Sequence, residues 1–327
     1  MHNHVFGRLG RSIAALAVIL TLVALQLPSS QAASTTIRIG ARGFPEEQIA
    51  GYLYSELLSA HGFKVSLDES FGGAESVIFA PLKNKQLDVV PDYLGNGLVD
   101  LNQVYKPGTS PKTVYKNVNA AFKKKFKLEL LTPAYKFNDQ NVFVTTKAKS
   151  KKFGLKTLAN FASKAKKLRV EVLQTCATRT DCLVGFNQVY HPKGLKKCNS
   201  KKNAGCEFKK FSTSVNGTDT GTENPFYGDL RKGLYDVVQG YGTTDAQIAH
   251  FKLVRLKDTK SLFPPDQLVP FVGQSVAKAQ PKMVTWLDKL SAVLTTSNFS
   301  KMNAQDVFGG QLPQNIAHSF LKKHHLI

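Results

Sequence analysis

Between residues 37 and 90 the apolar residues switch repeatedly between a two-residue alternation and a helical spacing. Ile37-Arg38-Ile39 alternates and stops at Gly40. Pro45-Glu46-Glu47 then supplies a helix first turn, Ile49, Leu53 and Leu57 share one face, and Gly62 closes the helix. Val65 and Leu67 start a second strand broken by Gly72-Gly73, residues 75–84 read as a second helix, and Leu87-Asp88-Val89-Val90 is a third, mostly apolar strand. Strands joined through helices run parallel, and a parallel sheet needs cover on both faces. The expectation is an α/β fold with mainly parallel sheets.

The pattern continues more loosely. Val142-Phe143-Val144 and Leu168-Arg169-Val170-Glu171-Val172 read as strands, residues 158–165 as a helix between them, and residues 233–238 as a further strand. Beyond residue 245 the spacing turns helical, with Met283, Trp286, Leu287, Leu290 and Val293 on one face and a C-terminal helix over Pro313–Lys323. No period of 20–50 residues repeats. A chain of 327 residues with this organisation makes one large or two modest domains.

The first residues set the compartment. Arg8 and Arg11 precede an apolar run over 13–27, and Ser29-Ser30-Gln31-Ala32-Ala33 follows it. A run of about 15 residues is shorter than the ~20 that span a bilayer, so residues 1–33 read as a secretory signal peptide. No cysteine stands near the cleavage point to take a lipid. The mature protein is therefore expected to be soluble, monomeric and outside the cytoplasmic membrane. Export discounts the nucleic-acid reading that a net charge of +21 would otherwise raise. The lysine-rich stretches (123–125, 147–152, 193–202) read as solvated faces that hold the protein near anionic membranes, and a polyanion- or surface-binding protein stays as the alternative.

Four cysteines, Cys176, Cys182, Cys198 and Cys206, lie within about thirty residues of an exported chain, which implies disulfides. The simplest of three connectivities joins Cys176 to Cys182 and Cys198 to Cys206. A metal site using His191 lacks the close cysteine spacing of zinc ligands. Gly273-Gln274-Ser275-Val276-Ala277 lacks the second glycine of a nucleophile elbow, and no phosphate loop, dinucleotide fingerprint or zinc motif is present. The chain is expected not to be an enzyme and to need no cofactor, with a secreted hydrolase kept as the lesser alternative.

Tyrosines stand beside glycines where the chain turns: Pro91-Asp92-Tyr93-Leu94-Gly95-Asn96-Gly97, Phe226-Tyr227-Gly228, and Gly240-Tyr241-Gly242-Thr243-Thr244-Asp245. Two of these follow strand-like runs, where α/β sheets bind ligands. With Ile39-Gly40-Ala41-Arg42-Gly43-Phe44-Pro45-Glu46-Glu47, Gly72-Gly73-Ala74-Glu75, Thr178-Arg179-Thr180-Asp181 and Phe263-Pro264-Pro265, these segments make the chain resemble, over residues 36–327, the substrate-binding proteins of glycine betaine/choline (osmoprotectant) ABC importers.

The resemblance implies a two-lobed periplasmic-binding-protein fold of the second type, with lobe one over 34–140 plus 246–327 and lobe two over 141–245, closing on ligand about a hinge. It implies a quaternary amine as ligand and an ABC permease as partner. Tyr93, Tyr227 and Tyr241 fall on cage tyrosines. Asn141 replaces a fourth, with Phe137 and Phe143 as neighbours able to fill that wall. Arg42, Arg179 and Asn96 fall where a ligand carboxylate is held, and Glu47 replaces the family's glutamine. The arginines favour a zwitterion; Glu47 favours a plain cation.

Overall fold

The computed structural model describes residues 36–72, 75–191, 208–214 and 225–327. The expectations placed on residues 1–33 and on Cys198 and Cys206 lie outside them. The chain forms β1 (Ile37–Arg42), α1 (Pro45–Ala60), β2 (Val65–Phe71), α2 (Glu75–Lys83), β3 (Val89–Tyr93), α3 (Leu94–Asp100), α4 (Pro111–Phe126) and β4 (Leu128–Leu130). There follow β5 (Asn141–Thr145), α5 (Lys147–Phe153), α6 (Leu158–Lys164), β6 (Arg169–Leu173), α7 (Gln174–Thr178), α8 (Leu183–Tyr190), β7 (Lys210–Ser214), α9 (Pro225–Arg231) and β8 (Val237–Tyr241). The chain ends with α10 (Ala246–His250), β9 (Val254–Arg255), β10 (Leu268–Gly273), α11 (Gln274–Ala279), α12 (Pro281–Val293), α13 (Thr296–Val307) and α14 (Pro313–Lys323).

Two five-stranded sheets result, ordered β2-β1-β3-β10-β4 and β7-β6-β8-β5-β9. In each, three strands are parallel as expected and the fourth is antiparallel: β10 against β3 and β4, β5 against β8 and β9. The reversed strands are those by which the chain enters the other sheet. They need no helical crossover, so they run against their neighbours. They also lengthen their partners. β3 runs on to Tyr93, opposite Leu268, and β8 to Tyr241, opposite Asn141, where the local pattern stops both strands at a valine.

The first sheet lies between two apolar layers. Leu53, Tyr54, Leu287, Phe299 and Phe320 belong to one. The other is built on Phe79, Phe122 and Phe271, with ring centres 4.9 Å (Phe79–Phe271) and 5.2 Å (Phe122–Phe271) apart. The second core gathers Phe143, Phe161 and Phe186. Local signals cap the helices that cover these layers. Thr157 with Asn160 and Thr295 with Asn298 form capping boxes, each cap contributing about 1 kcal/mol.

Both sheets carry one and the same clamp. In the first, Asp88, just before β3, accepts from the Arg38 backbone amide (2.9 Å), from its Nε (2.9 Å) and from its Nη2 (2.8 Å). In the second, Asp236, just before β8, accepts from the same three groups of Arg169 at 2.9, 3.0 and 2.8 Å. Each carboxylate ties the start of one parallel strand to its neighbour. The arginine side chains are 43% and 33% exposed, so solvent screens the ion pairs and the amide bonds carry most of the effect. Asp88→Ala and Asp236→Ala should each lower unfolding free energy by about 1–2 kcal/mol in urea titrations. The double variant should lose their sum, because the clamps share no partner.

Candidate functional site

Parallel strands present their carboxyl ends on one side of a sheet, and ligand groups gather there. β1 ends in Arg42, β3 in Tyr93 and β8 in Tyr241. Asn141, the first residue of β5, lies in register with Tyr241, and Asn96 sits in the first turn of α3.

Arg42 is the centre of the first group. Its buried guanidinium lies 3.0 Å from Glu47 Oε1 and 3.2 Å from Asp92 Oδ1. It also stands 4.9 Å from the Phe44 ring centre and 5.5 Å from that of Tyr93. Burial alone would lower the Arg42 pKa, but Asp92 and Glu47 outweigh it and raise it above its ordinary value. One cation does not balance two buried carboxylates, and burial pushes Glu47 up to about 8 against the pull of Arg42. Asp92 Oδ1 also accepts from Asn96 Nδ2 and from the Tyr93 amide, both at 2.6 Å. Four of the expected site residues, Arg42, Glu47, Tyr93 and Asn96, are thus joined through Asp92.

The second group is built on Asp245. Its Oδ2 accepts from the Tyr227 phenol and from the Tyr241 amide, each at 2.7 Å. Tyr227 is buried and Tyr241 half-buried. Buried Asn141 accepts from Gln239 Nε2 at 3.1 Å and donates to the Asp181 carbonyl at 3.4 Å. Arg179 meets Asp181 in a forked pair, Nε to Oδ1 at 2.8 Å and Nη2 to Oδ2. A disulfide joins Cys176 to Cys182 and closes the loop that carries both. Phe143 does not line this group: it is packed between Phe161 and Phe186, as β5 turns it into the second core. Phe137 backs Tyr93 instead, near-parallel at 6.2 Å, with Phe299 edge-on behind it.

A third set links the chain on both sides of the site. Glu46 accepts from the Tyr93 phenol (2.6 Å) and from Asn303 Nδ2, and its Oε1 lies 3.0 Å from the Thr243 hydroxyl and 3.2 Å from that of Thr244. Asp139 accepts from the same two hydroxyls and from the amides of both threonines. Glu46, Asp92, Asp139 and Asp245 are absent from the residues that the sequence singles out for ligand contact. Three of them stand inside the quoted motifs. Glu46 reads there only as a first-turn acid, whereas the structure buries it; Asn303 carries no local signal.

Comparison with known proteins follows from this geometry. Residues 35–323 match the family described as the substrate binding domain of ABC-type glycine betaine transport system. The chain is 26% identical over 293 residues to the carnitine transport binding protein OpuCC of Listeria monocytogenes, covering 88% of this chain and 86% of that one. It is 25% identical over 305 residues to a glycine-betaine-binding protein of Pseudomonas aeruginosa, covering 90% of each. The crystal structure of a glycine betaine/carnitine/choline ABC transporter superposes with a TM-score of 0.76 at 26% identity, over 90% of this chain and 99% of the other.

One backbone position holds the second group together. A Cβ on Gly240 would lie 2.0 Å from the Tyr227 phenol oxygen and 2.5 Å from Asp245 Oδ2. Gly240→Ala should displace the phenol from Asp245 and cost about 1–3 kcal/mol in thermal melts. Gly228→Ala, inside α9 and with nothing within 4 Å, should instead raise stability by up to about 1 kcal/mol.

Proposed function

The chain belongs to the family of substrate-binding domains of ABC-type glycine betaine transport systems, and from that premise we propose that it captures a quaternary ammonium compound outside the cytoplasmic membrane and hands it to the permease of an ABC importer. The observation that carries this reading is the Tyr93 corner. A ring at a strand end stands beside a cation, the Arg42 guanidinium, with Glu47 and Asp92 behind it. Such a corner already stabilises positive charge next to an aromatic face. A trimethylated ammonium has no N–H to donate, so ring faces select it where hydrogen bonds do not, at ~0.5–2 kcal/mol each. Tyr227 and Tyr241 supply further faces, and Asn141 leaves one wall polar.

The ligand is a plain cation of the choline kind in preference to a zwitterion. Arg42 and Arg179, the two groups suited to a ligand carboxylate, already face carboxylates of the protein itself. Glu47, Asp92 and Asp245 give the surroundings an acidic character. The two sheets serve as the bodies of two lobes, 34–140 plus 246–327 and 141–245, with β9 continuing the second sheet past that boundary. The lobes close over ligand as a monomer, free of its signal segment and without a lipid anchor. Family membership sets the chain among substrate-binding transport proteins.

Isothermal titration against choline, glycine betaine, carnitine and proline betaine should give saturable binding to at least one, with choline tightest. No heat from any member would sink the ligand assignment. Tyr93→Ala, Tyr227→Ala and Tyr241→Ala should each weaken binding by at least tenfold, since losing one face costs on the order of 2 kcal/mol, whereas Tyr93→Phe and Tyr241→Phe should bind more tightly than their alanine counterparts. Asn141→Tyr should tighten a trimethylammonium ligand by closing the polar wall with a ring. Normal binding in all three alanine variants would show that the rings only pack.

A further inference from the structure

Two buried carboxylates, Glu46 and Asp139, face the same pair of threonine hydroxyls. Thr243 Oγ1 lies 3.0 Å from Glu46 Oε1 and 2.8 Å from Asp139 Oδ1. Thr244 Oγ1 lies 3.2 Å from Glu46 Oε1 and 2.8 Å from Asp139 Oδ2. A hydroxyl carries one proton, so two protons serve four close O···O approaches. With both carboxylates ionised, two of the four would set lone pair against lone pair in a buried site, where an unsatisfied polar contact is most costly.

The proton count is uneven between the two acids. Asp139 Oδ1 also accepts from the amides of Thr243 (2.5 Å) and Thr244 (2.9 Å), the environment of an ionised carboxylate. The hydroxyl protons belong with Asp139 at its shorter contacts. Glu46 Oε1 then receives a proton from the Tyr93 phenol at 2.6 Å and lacks one for the threonine oxygens. Glu46 Oε2 is occupied by Asn303 Nδ2.

We propose that Glu46 acts as a neutral carboxylic acid, with its Oε1–H donating to the Thr243–Thr244 hydroxyl pair while the same oxygen accepts from Tyr93. Glu46 is thereby a positioning residue that fixes the Tyr93 ring against the segment following β8. Burial first, and the charge of Asp139 second, push Glu46 well above the usual carboxylate range. The charged and titratable groups around it are consistent with a neutral acid. Arg42 on β1 is engaged by Glu47 and Asp92. Arg255 on β9 donates to the Gly242 carbonyl at 2.6 Å and to Ser300 Oγ at 3.4 Å. Asp245 is bound by Tyr227 and the Tyr241 amide. Asn303, on α13, is neutral.

The ligand part of this inference rests on the proposed function; the protonation part does not. The test compares the full chain with Glu46→Gln, Glu46→Ala and Glu47→Gln. At pH 7 the infrared spectrum of the wild type should contain a protonated-carboxyl component that is absent from Glu46→Gln and retained in Glu47→Gln, separate from the component that Glu47, pushed up to about 8, contributes itself. A group whose folded-state pKa is raised stabilises the fold fully below its unfolded pKa and loses that effect as pH rises through its folded value. Wild-type stability should therefore fall from about pH 5 upward, by up to tenfold in the folding equilibrium per pH unit for this group, and Glu46→Gln should reduce that slope. Toward choline, Glu46→Gln should bind within about threefold of wild type and Glu46→Ala at least tenfold more weakly. Identical infrared spectra and melting slopes in wild type and Glu46→Gln would overturn the neutral acid, and a Gln variant as weak as the Ala variant would overturn the positioning role. If the wild type binds no quaternary amine, the proposed function fails while the spectra and melting slopes still decide the protonation state.

Discussion

A guanidinium is buried only where carboxylates meet it, and removing one partner from such a pair costs about 3–5 kcal/mol because a charge is left stranded. The corner where β1 and β3 end depends on that constraint. Arg42 leaves the end of β1, Glu47 comes from the first turn of α1 and Asp92 from the penultimate position of β3, so two consecutive elements and a third some fifty residues on are obliged to meet at one nitrogen-rich group. Phe44 and Tyr93 then pack their faces against the same cation. The orientation of Tyr93 is thus fixed from three directions: its ring by Arg42 and Phe137, its amide by Asp92 and its phenol by Glu46. A ring held so fully has little conformational freedom left to lose.

The duplicated clamp explains how two sheets remain coherent bodies while the chain passes between them. Arg38 with Asp88 and Arg169 with Asp236 occupy corresponding places, at the starts of the parallel strands, on the side away from Tyr93 and Tyr241. Each sheet is pinned at its starting end, and its carboxyl end is free to carry ligand groups. The antiparallel strand that completes each sheet brings the crossing segments close to the site. Asp139 lies on one crossing and Thr243 and Thr244 precede the other, so the contacts among these residues tie both to α1 through Glu46.

Much of this was legible in the sequence because it follows from local pattern. The parallel strands, the capped helices and Pro313–Lys323 announce themselves through period and punctuation. The paired motifs Leu87-Asp88-Val89-Val90 and Tyr235-Asp236-Val237-Val238 are visible in the same way, although only the structure gives their aspartates a common task. What stayed hidden depends on partners remote in sequence. β3 and β8 extend to their tyrosines because antiparallel strands from elsewhere continue the ladder. Glu46 looks like an ordinary helix-opening acid, since nothing near it tells that the turn faces the interior. Arg42 looks like a ligand group until Asp92, fifty residues away, is placed against it.

The acidic character of the site and the +21 charge of the chain oppose one another, and distance decides between them. Exposed lysines act through solvent, where the field decays over about 8 Å at physiological ionic strength. The carboxylates of Asp92 and Asp245 are buried near the strand ends, where screening is weak and each charge acts at a higher effective strength. A small cation therefore meets repulsion only as a diffuse, salt-screened background on approach, and attraction once it is close to the Tyr93 corner. The surface charge remains available for an anionic surface outside the cell membrane without setting the sign of the ligand. The proposed cationic ligand is thus no contradiction in a basic protein whose acidic groups near the site are the buried ones.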